Sequence, residues 1–119
     1  MMNKNLKDGM IVKHFKRETL PLEKKRKNKY LYKIISVDAK NTETKGTYMV
    51  YQALYAPFTV YLRPINKALS EVDHDAYPNI KQQFRFEGLS QHEIEEINTS
   101  ILPDGLLNDV MTICMEARK

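Results

Sequence analysis

The side chains best suited to chemistry in this sequence are one imidazole set among cations and aromatics, and two arginines that end or precede strand-like runs. His14 stands in Val12-Lys13-His14-Phe15-Lys16-Arg17. A histidine so placed can act as a general base; on an apolar face its ordinary role is that of a satisfied core or rim residue. Arg63 immediately precedes Pro64 at the end of a β-type run. At a sheet rim its planar fork suits a carboxylate or a phosphate. The competing expectation is an ion pair with an acid such as Glu43 or Glu71. Gln52 lies mid-strand between apolar neighbours. A buried amide needs partners for its oxygen and both N–H groups, so Gln52 must meet a backbone edge or a ligand. Tyr51 and Tyr55 share one face of that strand, and Gln52 shares the other with Val50 and Leu54. With Arg85 added, His14, Tyr51, Gln52, Tyr55, Arg63 and Arg85 form the candidate ligand site. Arg63 would take an anionic group, and the tyrosines would stack on or cap it.

Other chemistries lack their signatures. There is no glycine-rich phosphate loop, no G-x-S-x-G, no H-E-x-x-H and no paired cysteines. Asp73-His74-Asp75 resembles part of a metal site, but neighbouring residues point to opposite sides and no third ligand accompanies them. An exposed acidic turn is the expectation there, and no metal or cofactor is expected. Cys114 lies on an apolar helical stripe and reads as a small core hydrophobe. His92 falls in the first turn of a helix, where a positive charge is unfavourable, and reads as a neutral surface residue.

Charge is unevenly spread. Residues 1–33 carry eleven Lys or Arg against three acids, a net of +8; residues 34–119 carry eight against twelve, a net of −4. The cluster Lys24, Lys25, Arg26 and Lys27 is either a solvated loop or a contact for a polyanion. Beside tyrosines it raises an alternative function, single-stranded nucleic-acid or RNA binding. An enzyme with His14 as base is a further alternative.

Several elements must position these groups. Residues 10–15, 30–37, 47–55, 58–64 and 81–87 read as strands by alternation and β-branched or aromatic content. Ala56-Pro57 turns the third into the fourth, and Pro64 ends it. Residues 17–29 read as a loop or irregular excursion. Ser90 can cap a helix with Glu93 reaching back, and Leu89 and Ile94 stand at staple positions. Ile94, Ile97 and Ile101 form a narrow stripe, interrupted by Pro103-Asp104-Gly105. Leu106, Leu107, Val110, Met111, Cys114 and Met115 recur at helical spacing. The expected fold is mainly β with C-terminal α: a small five-stranded barrel plus two helices. The helices would pack on the barrel or pair with a second copy into a homodimer.

The blocks His14-Phe15-Lys16, Glu43-Thr44, Val50-Tyr51-Gln52-Ala53-Leu54-Tyr55, Arg63-Pro64 and Arg85-Phe86 resemble DUF1653, a bacterial family of small domains of unknown function. The resemblance covers residues 9–87. It differs from the usual pattern where Arg17 replaces a glycine, where the link runs on to Lys29, and where Tyr61 stands near an expected tryptophan. It implies a compact, SH3-like β domain and supplies no catalytic residues.

A chain of 119 residues is expected to be one domain with enough core to fold without staples. Residues 1–8 should be a disordered N-terminus, 9–87 the DUF1653-like barrel domain and 88–119 a helical extension. No apolar run approaches a membrane span, no signal peptide is evident, and one cysteine cannot form an internal disulfide, so the expected location is the cytoplasm. The leading expectation is a non-enzymatic binding module whose aromatic and cationic face takes a small anion, a peptide or nucleic acid.

Overall fold

The computed structural model describes residues 1–117. Five strands, β1 (Ile11–His14), β2 (Leu31–Lys40), β3 (Thr47–Ala53), β4 (Val60–Pro64) and β5 (Phe86–Gly88), form one antiparallel sheet in the order β4-β3-β2-β1-β5. Four helices accompany them: α1 (Leu22–Lys25), α2 (Ile65–Ala68), α3 (Gln91–Glu95) and α4 (Asp104–Ala117).

Period-two alternation divides the sheet into two apolar faces. Val12, Tyr32, Ile34, Met49, Tyr51, Ala53 and Phe86 are buried together on the first, joined by Leu6 and Ala68. Ile11, Leu31 and Leu54 are buried on the second, against Ile97, Leu102, Leu106, Val110 and Cys114. The sheet is strongly curled about the first face. Tyr51 on β3 and Phe86 on β5 have ring centres 5.2 Å apart, although β2 and β1 lie between their strands. Three flat strand spacings would separate them by about 14 Å. Register shifts between Ile34 and Ser36 and between Ser36 and Ala39 are irregularities of the kind that increase local twist.

The curl stops short of closure, so the five strands expected of a small barrel form an open sheet with β4 and β5 at its opposite ends. Two sequence features account for this. Pro64 carries no N–H to extend pairing, and α2 begins at the next residue. The expected strand 81–87 is reduced to Phe86–Gly88 because carboxylates take the preceding amides. Lys81 and Gln82 donate their backbone N–H groups to Glu18, and Gln83 and Phe84 donate theirs to Glu87.

Two further segments differ from expectation. Residues 1–8 are held down rather than frayed. The Asn3 amide donates to the Phe86 carbonyl at 2.9 Å, its backbone N–H donates to Leu69, and Leu6 is buried in the first core. The segment after β1 is ordered as a 3-10 turn (Phe15–Thr19) and α1. Arg17 spans it, donating to the carbonyls of Lys29 (2.7 Å) and Lys25 (3.2 Å). Asn28, fully buried with φ 64°, donates its amide to the carbonyls of Leu54 and Asn98 and accepts the Asn98 N–H. Asparagine tolerates this left-handed conformation better than most residues.

The C-terminal reading agrees with the structure in its main lines. Ser90 and Glu93 form a reciprocal capping box, and the apolar stripe of α4 packs on the chain's own sheet through Leu106, Val110 and Cys114. Met111 and Met115 on the same helix remain exposed. No helix among the described residues is long and apolar enough to cross a membrane.

Candidate functional site

The curl gathers most of the candidate residues. Directly paired residues share a face, and the β3–β4 register sets Arg63 beside Met49 and Tyr61 beside Tyr51. The β1–β5 register sets His14 beside Phe86. Arg85 lies one residue before β5, its backbone amide bonded to Ser70 and its carbonyl to Phe15. His14, Tyr51, Tyr55, Arg63 and Arg85 thereby belong to or border one aromatic cluster, the basin, joined by ring contacts, the Arg63–Tyr51 hydrogen bond and short-range charge. Tyr32 joins its parts: its ring lies 5.1 Å from Tyr51 and 5.7 Å from Tyr55, and its hydroxyl is 2.7 Å from that of Tyr55. Burial is the first cause raising the Tyr32 phenol above its ordinary value, followed by the Tyr55 hydrogen bond. Burial likewise raises Tyr55.

Gln52 does not belong to the basin. It faces the other way and donates its amide to the Phe58 carbonyl at 3.1 Å, a backbone-edge contact. Tyr51 is buried, so it is not a stacking surface; its hydroxyl accepts from Arg63 Nε at 3.4 Å and orients the guanidinium. The exposed aromatic surfaces at the rim are Tyr61 and Tyr77, each 40% exposed. Tyr61 lies against Tyr51, and Tyr77 lies edge-on to Phe15. Sequence reasoning left both out. Tyr61 carried a signal, since it alternates in phase with Arg63; Tyr77 sits in a loop and carried none.

The electrostatics of the basin are one-sided. Arg63 and Arg85 form no ion pair among the described residues. Neither expected partner pairs with Arg63: Glu71 lies 3.7 Å from the N-terminal amine, and Glu43, whose backbone N–H donates to the Asn41 side-chain oxygen, is in no ion pair among the described residues. Arg85 Nε donates to the Lys67 carbonyl and the Ser70 hydroxyl. The outer nitrogens of both guanidiniums have no hydrogen-bond partner among the described residues. Burial first, and then the neighbouring Arg63 charge, pull Arg85 below the ordinary guanidinium value.

His14 is lowered to about 3 by burial, and further by Arg85, Arg63 and Lys16. Its ring is packed on Phe15, Tyr30 and Phe86. Nδ1 accepts the Lys16 backbone N–H at 3.1 Å, which leaves the ring proton on Nε2. The only free lone pair of the neutral ring is thus already engaged. That geometry argues against a general base and makes His14 a neutral N–H donor.

The basic cluster lies at the other end of the aromatic network. Lys24, Lys27 and Lys29 line a cleft of about 540 Å³ with Tyr55, Ala56, Phe58 and Ile101. Lys25 and Arg26 face elsewhere, lining a neighbouring depression with Arg17, Leu22 and Glu96. The acidic turn is as expected: the Asp73 carboxylate accepts the N–H groups of Asp75 and Ala76, and His74 meets the Gln82 carbonyl. No cluster of three or more metal-type ligands occurs among the described residues.

Fold and basin together define a small curled-sheet domain with an uncompensated cationic, tyrosine-rimmed surface. The family model DUF1653, described as a protein of unknown function, matches residues 10–88. The chain belongs to that family, with α3 and α4 beyond the matched segment. No curated protein and no solved structure matches the chain.

Proposed function

We propose that the protein is a non-enzymatic binding module whose aromatic basin takes a ligand bearing a phosphate or carboxylate group. One observation carries this reading: two partly buried arginines converge on the basin, and no carboxylate compensates either. Like charges held together away from water are costly, and an arriving anion would offset that cost. The paired forks suit a tetrahedral or planar oxyanion. The Nε2–H of His14 adds a neutral donor, and Tyr61 and Tyr77 offer apolar surface for what the anion is attached to. His14 spends its lone pair on the Lys16 amide, which favours binding over proton transfer. An intracellular setting fits a chain with one cysteine, buried on α4.

The test is calorimetric titration of inorganic pyrophosphate at low salt into the wild-type chain and into Arg63→Gln/Arg85→Gln. The wild type should give a saturable isotherm and the double variant none. Indistinguishable isotherms would remove the reading.

A further inference from the structure

The lysine cleft is more than a solvated loop. Arg17 and Asn28 fix the segment that carries Lys24, Lys27 and Lys29. Gln52 fixes the opposite wall by holding the Phe58 carbonyl. Ile101 closes one side, so three lysines line the cleft together with an aromatic and apolar surface. None of the three lysines is in an ion pair among the described residues, and no carboxylate lines the cleft. Its volume lies within the range of sites that enclose small organic ligands, about 300–1,000 Å³.

The cleft is also linked to the arginine basin through packed rings. Lys29 Nζ sits 4.7 Å from the centre of the Tyr55 ring and 4.9 Å from that of Tyr30. The Tyr55 hydroxyl bonds that of Tyr32, and Tyr32 packs on Tyr51, which orients Arg63. Tyr30 in turn reaches His14, ring centres 5.6 Å apart. Two cationic subsites therefore flank one tyrosine cluster, in which Tyr61 is exposed, Tyr30 and Tyr55 are half-buried, and Tyr32 and Tyr51 are buried.

A single small anion fills one side of such a cluster. A ligand that uses both sides needs repeated negative charge alternating with flat, stackable groups. Single-stranded nucleic acid has that chemistry; a duplex hides its base faces, and an acidic peptide has the charges without the rings. Resting on the anion-binding reading above, we infer that the cleft is a second subsite and that the two together bind a single strand. Its phosphates meet Lys24 and Lys27 at one end and Arg63 and Arg85 at the other, with bases against Tyr55, Phe58 and Tyr61.

The experiment uses the full chain and a fluorescein-labelled oligothymidylate of about twelve nucleotides, a length within the ~4–16 nucleotides that one OB fold covers. Anisotropy titrations over a range of salt compare wild type, Lys24→Gln/Lys27→Gln and Arg63→Gln/Arg85→Gln. Calorimetry with pyrophosphate runs alongside. The lysine variant should bind the oligonucleotide about tenfold more weakly, with a salt slope shallower by about 1.4, from roughly 0.7 per lost phosphate contact on a single strand. It should bind pyrophosphate as the wild type does. With seven tyrosines and no tryptophan in the chain, stacking should also quench the intrinsic tyrosine fluorescence.

If the lysine variant keeps wild-type oligonucleotide affinity and slope while the arginine variant loses pyrophosphate, the second subsite is overturned and the anion basin stands. If the arginine variant keeps pyrophosphate binding, the basin reading itself fails. Displacement of the oligonucleotide by oligoglutamate as readily as by unlabelled strand assigns the surface to acidic polypeptides and overturns the inference. So does the absence of oligonucleotide binding at the lowest salt.

Discussion

The two faces of the sheet treat their cations in opposite ways. On the helix-covered face, Lys13 pairs with Glu93 of α3 at 2.7 Å, and Lys33 pairs with Asp109 of α4 at 2.8 Å. Although burial alone would raise Glu93, its bonds from Lys13 and Ser90 hold it below the usual carboxylate range. On the concave face, burial first and then neighbouring positive charge lower Arg85 and His14, yet neither Arg63 nor Arg85 has a carboxylate partner among the described residues. The first arrangement is what a packed interface between sheet and helices needs. The second leaves two guanidiniums held by Nε hydrogen bonds alone, with no opposite charge to offset them. The difference teaches where to look for function: cations that stability leaves uncompensated are the ones available to a ligand.

That contrast can be broken by substitution. Leu31→Ala on the helix-covered face should cost the most, about 3 kcal/mol of stability, from lost burial and the cavity left behind. Chemical denaturation measures it, and the folded fraction should still bind pyrophosphate normally. Arg63→Gln/Arg85→Gln should do the reverse. Pyrophosphate affinity should fall at least tenfold, about 1.4 kcal/mol, while the denaturation midpoint stays level or rises as the like charges separate. A large loss of stability in that variant would place the arginines among the structural residues and erase the distinction.

Acid should sharpen the contrast. His14 stays neutral in the fold down to about 3, whereas an unfolded histidine takes up its proton near 6.5. Between those values the unfolded chain binds more protons, so stability should fall as pH drops through the window. His14→Gln should show a shallower decline there, measured by denaturation at a series of pH values. An identical decline would mean that the buried ring contributes nothing to acid sensitivity. The smallest effect belongs to the exposed end of a paired cation: Asp109→Asn should change stability by only about 0.5 kcal/mol, since Asp109 is 55% exposed.

Local pattern carried much of the fold. The alternation of Tyr51, Ala53 and Tyr55 against Gln52 and Leu54 was legible, and so were the Ser90–Glu93 capping box and the apolar stripe of α4. These depend on neighbours within a few residues. What was not legible depends on distant partners. The shortening of β5 comes from Glu18 capping amides 63 and 64 positions away. Asn3 and Leu6 are ordered by Phe86 and the first core. The site follows the same division. Arg63, Tyr51 and Tyr61 share a hairpin and could be placed on one face from sequence, although Tyr61 was passed over. The approach of Arg85 to Arg63, and the entry of Tyr77, depend on a curl that no alternation pattern encodes. For Gln52, a polar residue in an apolar strand signals a needed partner without saying which, a backbone edge or a ligand; here its amide meets the Phe58 carbonyl.

The central claim is that Arg63 and Arg85 act together on one anion. The direct measurement is a proton–nitrogen correlation spectrum of the arginine Nε–H and His14 Nε2–H groups while inorganic pyrophosphate is added at low salt. The account predicts that Arg63, Arg85 and His14 shift together along one saturation curve, and that Arg63→Gln abolishes the shift at Arg85. Shifts confined to the lysine cleft, or an Arg85 response that survives the loss of Arg63, would contradict it.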